Sequence, residues 1–336
     1  MRYAKLALLA TAAVAAPAVA WVAVTRNLRP GLRAYDPLAL PREGAAETVT
    51  PPALRVVFLG VSTLLFDDGE TALMTDGFFT RPGLFHLVRM APDRDLIARS
   101  LKRAGVTSLA AVIPIHSHYD HALDSPAVAH QTGALLVGST SSANIARGSG
   151  LPEERIKVVT NGETLRFGRF SVTLLASVHS PHALFPGEIT APLSPPASAG
   201  AYRMGACYSV LIEHAGRTTL VQGSAGFIPG ALKGRTADVV YLGVGTLGKR
   251  DEAYRDAYWR EVVETVGARR VIVVHWDDFW KPLDEPLVPL PWLVDDFDAT
   301  MRFLRARGEE TGVDIRVPVA WASTDPFAGL TPPSGR

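Results

Sequence analysis

Residues 116–121 read His-Ser-His-Tyr-Asp-His and place four potential metal ligands within six positions. They follow residues 109–115, an apolar run that is typical of a buried β-strand. A strand that ends in imidazoles and a carboxylate delivers these groups to the edge of a sheet, where binding sites usually lie. Because three histidines beside an aspartate are difficult to bury without a partner, the pattern predicts a site for Zn²⁺ or a related divalent ion rather than a polar loop.

The spacing inside this segment indicates how a first ion is held. His116 and His118 are two residues apart, so in extended backbone their side chains project to the same side. His179 follows the apolar stretch 171–178, which predicts another strand, and it would complete a set of three neutral imidazoles. Three protein ligands with one open position are the arrangement of a catalytic rather than a structural zinc site.

A second set of three ligands is available from Asp120, His121 and His275, the last of which ends the apolar run 271–274. Two ions about 3.5–4 Å apart can share a solvent oxygen, which becomes a nucleophile while the ions polarise a carbonyl or phosphoryl oxygen. The two sets together predict a dinuclear hydrolytic centre.

The motif His-x-His-x-Asp-His resembles the signature of the metallo-β-lactamase superfamily. Its members carry, in chain order, a strand ending in Asp, the His-rich loop, a lone His, an acidic or other residue after a Gly, and a last His. This chain follows that order over residues 54–316, and the matching residues are Asp76, His116, His118, Asp120, His121, His179, Ser224 and His275. The pattern of apolar stretches alone predicts only an α/β class. The resemblance implies an αββα sandwich of two mixed β-sheets with outer helices, and a zinc-dependent hydrolase.

One position departs from the commonest family pattern. Most hydrolases of the superfamily have a metal-bridging Asp where this chain has Ser224. One subclass of metallo-β-lactamases has Ser here and still holds a second metal, so we expect two Zn²⁺ ions, with a single ion as the alternative. The Ser224 hydroxyl would then orient water. The resemblance gives Asp76 a supporting role, in which it accepts a hydrogen bond from a metal-bound histidine.

The chain divides into four predicted parts. Residues 1–24 combine a basic start with an apolar stretch and the triplet Ala-Val-Ala, which is typical of a signal peptide or an N-terminal membrane anchor. Residues 25–53 contain five prolines and predict a linker, residues 54–316 form the metallo-β-lactamase-like domain, and residues 317–336 form a C-terminal tail. We favour an anchor over a cleaved signal, with the domain at the cell membrane or exported to the periplasm.

Charge and composition bear on the partners. The chain has 34 basic and 33 acidic residues, a net charge of +1, and no basic run with interleaved aromatic residues. No nucleic-acid partner is therefore expected. We expect a small-molecule or lipid substrate and membrane contact through the N-terminal segment; the sequence leaves the oligomeric state open.

Residues 180–204 form a long predicted loop directly after His179 and contain five prolines. A loop of this length inside a compact domain is usually functional, so we expect it to overhang the metals. His182 lies three residues after His179 and is a candidate proton shuttle; the alternative is an ordinary surface histidine.

Aromatic and acidic residues follow His275 without a break. Trp276 and Asp277 are predicted to line the mouth of the site, and Tyr119, inside the metal loop, is a third candidate. Phe279 and Trp280 would either hold an apolar part of the substrate or pack against outer helices. For Asp277 the alternative is a solvated loop carboxylate.

These observations favour a metal-dependent hydrolase in which a metal-held hydroxide attacks an ester, lactone, amide or phosphodiester, with Asp120 and His182 as catalytic residues. The alternatives are an iron-dependent redox protein on the same fold, which typically has Glu where this chain has His118, and a non-catalytic metal-binding descendant. Residues 59–65 resemble the Gly-His-Ala/Ser-Thr opening of the lactonase-like and phospholipase-D-like branches, although Val61 replaces the His.

Overall fold

A computed structural model of the chain describes residues 28–41 and 54–331. The predicted signal or anchor segment, residues 1–24, lies outside these ranges. Within them, no helix is both long enough and apolar enough to cross a membrane.

The described residues form fifteen β-strands and six α-helices. The strands are β1 (Ala39–Leu40), β2 (Arg55–Phe58), β3 (Leu64–Asp67), β4 (Ala72–Thr75), β5 (Ala111–Ile113), β6 (Leu135–Gly138), β7 (Ile156–Val158), β8 (Thr164–Phe167), β9 (Phe170–Ser177), β10 (Cys207–His214), β11 (Arg217–Gln222), β12 (Val239–Gly243), β13 (Arg270–Val274), β14 (Asp314–Pro318) and β15 (Ser323–Thr324). The helices are α1 (Arg94–Arg103), α2 (Tyr119–Ala122), α3 (Ser125–Thr132), α4 (Thr140–Gly148), α5 (Glu252–Trp259) and α6 (Phe297–Thr311).

Two mixed sheets contain all of these strands. The first has seven strands in the order β15-β2-β3-β4-β5-β6-β7, and the second has eight in the order β1-β14-β13-β12-β11-β10-β9-β8. Each sheet is antiparallel on one side and parallel on the other: pairing is antiparallel from β15 to β4 and from β11 to β8, and parallel in the remainder. The predicted α/β architecture with two mixed sheets is confirmed.

The apolar faces of the two sheets pack against each other, because strands buried on both sides leave no polar face for water. Phe66 of β3 meets Tyr241 of β12 edge to face, with ring centroids 6.0 Å apart. On the outer side of the first sheet, Ile97 and Leu101 of α1 are buried in a second apolar cluster with Val112 of β5. Burying each such side chain contributes about 1.5–3 kcal/mol, so this packing holds the strand ends in place.

Both predicted chain segments that flank the domain need correction. Ala39 in the predicted linker 25–53 pairs in parallel with Val317 of β14, and Tyr35 is buried. Ser323 in the predicted tail 317–336 pairs with Val57 of β2. Both segments therefore complete sheet edges. Strands of two residues are too short to produce a periodic pattern, so the prolines around them determined the prediction.

Candidate metal centre

The carboxyl ends of several strands converge at one edge of the sandwich, and the His-rich loop starts from the end of β5. The Ile115 N–H donates to Asp76 Oδ1 at 2.9 Å, and the Asp76 N–H donates to the Ile113 carbonyl at 3.0 Å. His118 is the residue before α2, with extended backbone angles. The loop thus changes from extended chain to a helical turn at His118, which separates the first two ligands from Asp120 and His121.

The first predicted ligand set is brought together. His116 Nε2 lies 3.1 Å from His118 Nδ1, and the His179 ring centroid is 5.0 Å and 4.9 Å from those of His116 and His118. The three ligand atoms lie within 4.8 Å of one another. Their separation suits a common ion, because each nitrogen would be about 2.0–2.1 Å from zinc.

The first set is electrically neutral. Burial, and then the neighbouring His121, hold the pKa of His116 well below its ordinary value. Burial also lowers the pKa of His118, and burial together with His118 lowers the pKa of His179 to about 4. These rings are therefore uncharged at neutral pH, the form that donates a lone pair to a metal.

The second predicted ligand set is also assembled. His121 Nε2 lies 3.2 Å from His275 Nε2, and Asp120 Oδ2 lies 3.3 Å from His275 Nε2 and 3.6 Å from His121 Nε2. Burial opposes ionisation of Asp120, but His121 and His275 outweigh it and hold its pKa below the ordinary value. The His116 and His121 ring centroids are 3.9 Å apart, so the two sets adjoin.

The residues present fit a pair of divalent ions. Across each set, ring nitrogens of neighbouring histidines face each other at 3.1 Å and 3.2 Å. The facing pair in the first set is His116 Nε2 and His118 Nδ1, whereas the other nitrogen of each ring, His116 Nδ1 and His118 Nε2, is buried without a hydrogen-bond partner among the described residues. Five imidazoles and one carboxylate in two compact sets are nitrogen and oxygen donors suited to zinc and to other transition metals.

Asp76 occupies the supporting position predicted for it. Its Oδ2 accepts a hydrogen bond from Ser62 Oγ at 2.6 Å and lies 2.8 Å from His121 Nδ1. The contact fixes the His121 ring so that Nε2 faces the second set. Asp76 has a φ of 54°, a left-handed conformation that is uncommon outside glycine and clusters at functional sites.

The position of His275 is fixed by a backbone hydrogen bond to Val61. Val61 is in turn held by the buried Arg81–Asp277 ion pair. The His275 N–H donates to the Val61 carbonyl at 2.7 Å, and the Val61 N–H donates to Asp277 Oδ1 at 2.8 Å. Asp277 Oδ2 pairs with Arg81 Nη2 at 2.5 Å, and both side chains are fully buried. A Cβ at Gly60 would lie 1.8 Å from Arg81 Nη2, so only glycine fits there.

Trp276 and Asp277, which were predicted to line the mouth of the site, lie in the interior. Asp277 faces Arg81 in the interior and lines no substrate space. Trp276 is 2% exposed and packs against Phe297, with ring centroids 5.5 Å apart. The strand ends at Val274, and His275 has a φ of 59°, a left-handed conformation at which the chain turns and Trp276 enters the core.

Ser224 forms a hydrogen bond with the backbone of Ser180, the residue that follows His179. Ser224 Oγ accepts a hydrogen bond from the Ser180 N–H at 3.0 Å. Ser180 Oγ lies 3.1 Å from His179 Nδ1 and accepts from Thr246 Oγ1 at 3.4 Å. A chain of hydroxyl groups thus supports the first set, where most superfamily hydrolases have a carboxylate.

A pocket of about 260 Å³ opens above both ligand sets. Tyr119 lines it and accepts a hydrogen bond from Trp280 Nε1 at 2.9 Å, and Phe279 contacts His275 with ring centroids 5.7 Å apart. Residues 181–185 of the long loop form another wall, with His182 exposed at the rim. A larger cavity of about 420 Å³ has Tyr35, Trp276 and Trp321 among its lining residues but none of the six ligands.

Several residues of the centre were missed from the sequence. Ser62 follows a strand in the Gly-Val-Ser-Thr segment, so its place at a strand end was a usable signal. The sequence offers no signal for Arg81, Ser180, Thr246 or Arg250, because only the folded chain brings them to the ligands.

Comparison with known proteins places these features in a family. A model of the beta-lactamase superfamily domain matches residues 82–276. A UPF0173 metal-dependent hydrolase of Rhizobium leguminosarum is 28% identical over 127 residues, which are 38% of this chain and 48% of the relative. A UPF0173 metal-dependent hydrolase of Heliobacterium modesticaldum is 25% identical over 229 residues, covering 67% of this chain and 84% of the relative. The chain thus spans about half the length of the first of these curated relatives.

Solved structures give weaker likenesses. The metallo-beta-lactamase fold protein YhfI from Bacillus subtilis superposes with a TM-score of 0.47 at 13% identity, over 81% of this chain and 98% of that one. CmlA, a diiron beta-hydroxylase from Streptomyces venezuelae, gives 0.49 at 15% identity, over 82% and 55%.

The family match covers more than half of the chain and includes all six ligand residues. The chain therefore belongs to the metallo-β-lactamase superfamily, as its His-rich motif predicted.

Proposed function

We propose that this protein is a dinuclear zinc hydrolase. The observation that carries the proposal is the pair of ligand triads, each with its donor atoms within 4.8 Å of one another, on the floor of one pocket. The names of its curated relatives, metal-dependent hydrolases, support the same reaction class. The substrate would be an ester, lactone, amide or phosphodiester of a small molecule or lipid.

His116, His118 and His179 would hold one ion, and Asp120, His121 and His275 the other. When bound, such a pair supplies a nucleophile at neutral pH and polarises the bond to be cleaved. The protein's own side chains would orient the substrate and transfer protons.

The pocket walls would orient the substrate and exclude water. Phe279 and Trp280 offer apolar surface, and the Tyr119 hydroxyl accepts from Trp280, which fixes the tryptophan ring. His182, which lines the pocket, would carry a proton between the leaving group and solvent. Asp120 contributes the only anionic donor.

An iron-dependent redox protein is the second candidate. Asp120, His121 and His275 make a set of two histidines and one carboxylate, the ligand type of many non-haem iron oxygenases. The full donor set favours zinc, however. Di-iron centres of the carboxylate type rely on several glutamates, whereas five of the six donors here are imidazoles.

Metal analysis combined with a substrate screen tests the proposal. We expect about two equivalents of zinc on the purified full-length chain, and hydrolysis of at least one chromogenic ester, lactone, phosphodiester or cephalosporin that a chelator abolishes and zinc restores. His116→Ala should remove zinc and activity together, whereas the exposed His86→Ala should change neither. Iron at two equivalents, with no hydrolysis after zinc loading, would support the redox candidate instead.

A further inference from the structure

Arg250 presents a cation to the same pocket as the ligands. It lines the pocket together with His179 and Asp120, directly before α5. Its Nε donates to the Thr246 carbonyl at 3.3 Å. Within the ranges 28–41 and 54–331, no carboxylate lies within ion-pairing distance of its guanidinium. In contrast, the buried Arg270 on β13 pairs with Asp314 at 2.8 Å.

The turn that carries Arg250 is fixed in place. Buried Asp295 accepts hydrogen bonds from the Gly248 N–H at 3.2 Å and from the Thr246 N–H. A Cβ at Gly248 would lie 1.9 Å from the Asp296 carbonyl oxygen, so the turn is in direct contact with the start of α6. The guanidinium is therefore mounted on a rigid element, and little conformational entropy is lost when it binds a ligand.

Two side chains of opposite charge line the pocket. Among the described residues, Asp120 is the only Asp or Glu that lines it and Arg250 the only Lys or Arg. Because Asp120 belongs to a ligand set, Arg250 is the charged side chain left to meet an anionic ligand.

Much of the remaining pocket wall is apolar. Leu87, Phe279 and Trp280 line the pocket beside Leu184 and Phe185, which are 71% and 36% exposed. Large apolar side chains left uncovered at a pocket rim mark a surface that binds something apolar. One pocket thus joins a fixed cation to an apolar wall.

We propose that the pocket binds an amphipathic anion, with its phosphate or carboxylate on Arg250 and its hydrocarbon part against Phe185 and Phe279. The guanidinium fork matches both head groups through paired, charge-assisted hydrogen bonds. This inference rests on the proposed function, since it names the class of substrate that the hydrolase would receive. A pocket of about 260 Å³ accommodates a short chain or the reacting end of a longer one.

Binding of matched probes to the zinc-loaded full-length chain tests this, with calorimetry as the readout. The probes are octyl phosphate, octanoate and octanol, which share a chain and differ in head group. Arg250→Gln should weaken binding of at least one anionic probe about 10–100-fold, the worth of a charge-assisted contact, and leave octanol unchanged. Arg250→Lys should weaken it less. Phe185→Ala should weaken all three probes.

Arg235→Gln, an exposed arginine that does not line the pocket, is the matched control and should bind as wild type. Whichever of octyl phosphate and octanoate loses more binding affinity in Arg250→Gln carries the head group that Arg250 prefers. Equal anion affinity in Arg250→Gln and wild type would overturn the inference, even if the protein hydrolyses neutral esters. Conversely, Arg250-dependent anion binding by a chain that hydrolyses no substrate would refute the hydrolase and keep the anion site.

Discussion

The two ligand triads of this protein are supported by different chemistry. His121 in the Asp120 triad contacts the carboxylate of Asp76 at 2.8 Å, whereas His179 Nδ1 in the other triad lies 3.0 Å from the Ser180 carbonyl oxygen and 3.1 Å from the Ser180 hydroxyl. Burial would lower the pKa of His121, yet Asp76 and Asp120 outweigh it and raise the pKa. The pKa of His179, without such a partner, is lowered to about 4.

This contrast shows that the carboxylates of the centre lie in and beside the Asp120 triad. The resemblance cast doubt on the second ion, because Ser224 replaces the usual bridging carboxylate. The structure shows that the Asp120 triad keeps its own carboxylate and has the carboxylate of Asp76 in contact with His121, whereas the charge of the buried Asp277 is paired with Arg81. We therefore expect the Asp120 triad to hold its ion through charge and the His116 triad to hold its ion through neutral nitrogens alone.

The largest expected effect comes from removing the charged donor. Asp120→Asn keeps the shape of the side chain but replaces an anion by a neutral amide. Turnover should fall by about 10²–10⁴-fold, the usual cost of losing a positioned catalytic group. It would be measured as kcat on the substrate that the screen yields, with thermal melting as the test of folding and His86→Ala as the control. Near-normal kcat in a folded variant would contradict the dinuclear hydrolase.

The buried Arg81–Asp277 pair lies under the segment before His275. Substituting Arg81 therefore tests how much this support of the Asp120 triad contributes to stability. Arg81→Met leaves a buried carboxylate without its cation, which typically costs about 3–5 kcal/mol in the free energy of unfolding. Chemical denaturation would measure it. Arg81→Met combined with Asp277→Leu removes both charges and should recover part of the loss.

Arg147→Met is a matched control, because Arg147 pairs with Glu153 at the exposed surface. Its denaturation midpoint should stay close to that of the wild type. Equal destabilisation by Arg81→Met and Arg147→Met would mean that the buried pair is not what fixes the segment before His275.

A paired substitution compares the two kinds of support directly. Asp76→Asn should lower the affinity of the Asp120 triad for zinc about 10–100-fold, as loss of an outer hydrogen-bond partner typically does. Ser180→Ala should lower zinc affinity in the other triad by a smaller factor, because the Ser180 carbonyl oxygen still accepts from His179 Nδ1 and a neutral hydroxyl polarises the ring less than an anion does. Zinc titration against a chromophoric chelator measures both. A greater loss for Ser180→Ala would reverse the comparison.

The sequence predicted the ligands better than their surroundings, and the reason is physical. The ligands lie in the His-rich loop after β5 or just beyond the ends of β9 and β13, and a strand end is visible as a change of composition at one position. Trp276 was misplaced because the chain leaves the strand in a left-handed conformation at His275, with a φ of 59°, and no local pattern predicts that turn. Arg81 and Arg250 come from turns whose position depends on long-range packing against Asp277 and Asp295, which no local pattern records.

The same limit applies at the chain ends. The two-residue strands β1 and β15 form only because β14 and β2 present unpaired edges to them. Prolines made residues 25–53 resemble a linker, and a two-residue strand in residues 317–336 is too short to show a periodic pattern. The pairing partner, rather than the segment's own sequence, determined the structure there.

The smallest expected effect is also the most direct test of the missing carboxylate. Ser224→Asp would place an anion beside the neutral triad while keeping an oxygen that can accept the Ser180 N–H bond. We expect the weaker of the two zinc affinities to rise about tenfold, equivalent to roughly 1.4 kcal/mol, in competition with a chromophoric chelator. Ser224→Ala, which removes the hydroxyl without adding charge, is the control and should show no gain. If Ser224→Asp folds and both zinc affinities are unchanged, residue 224 does not reach the ions, and the difference between the two triads must come from Asp76 and Asp120 alone.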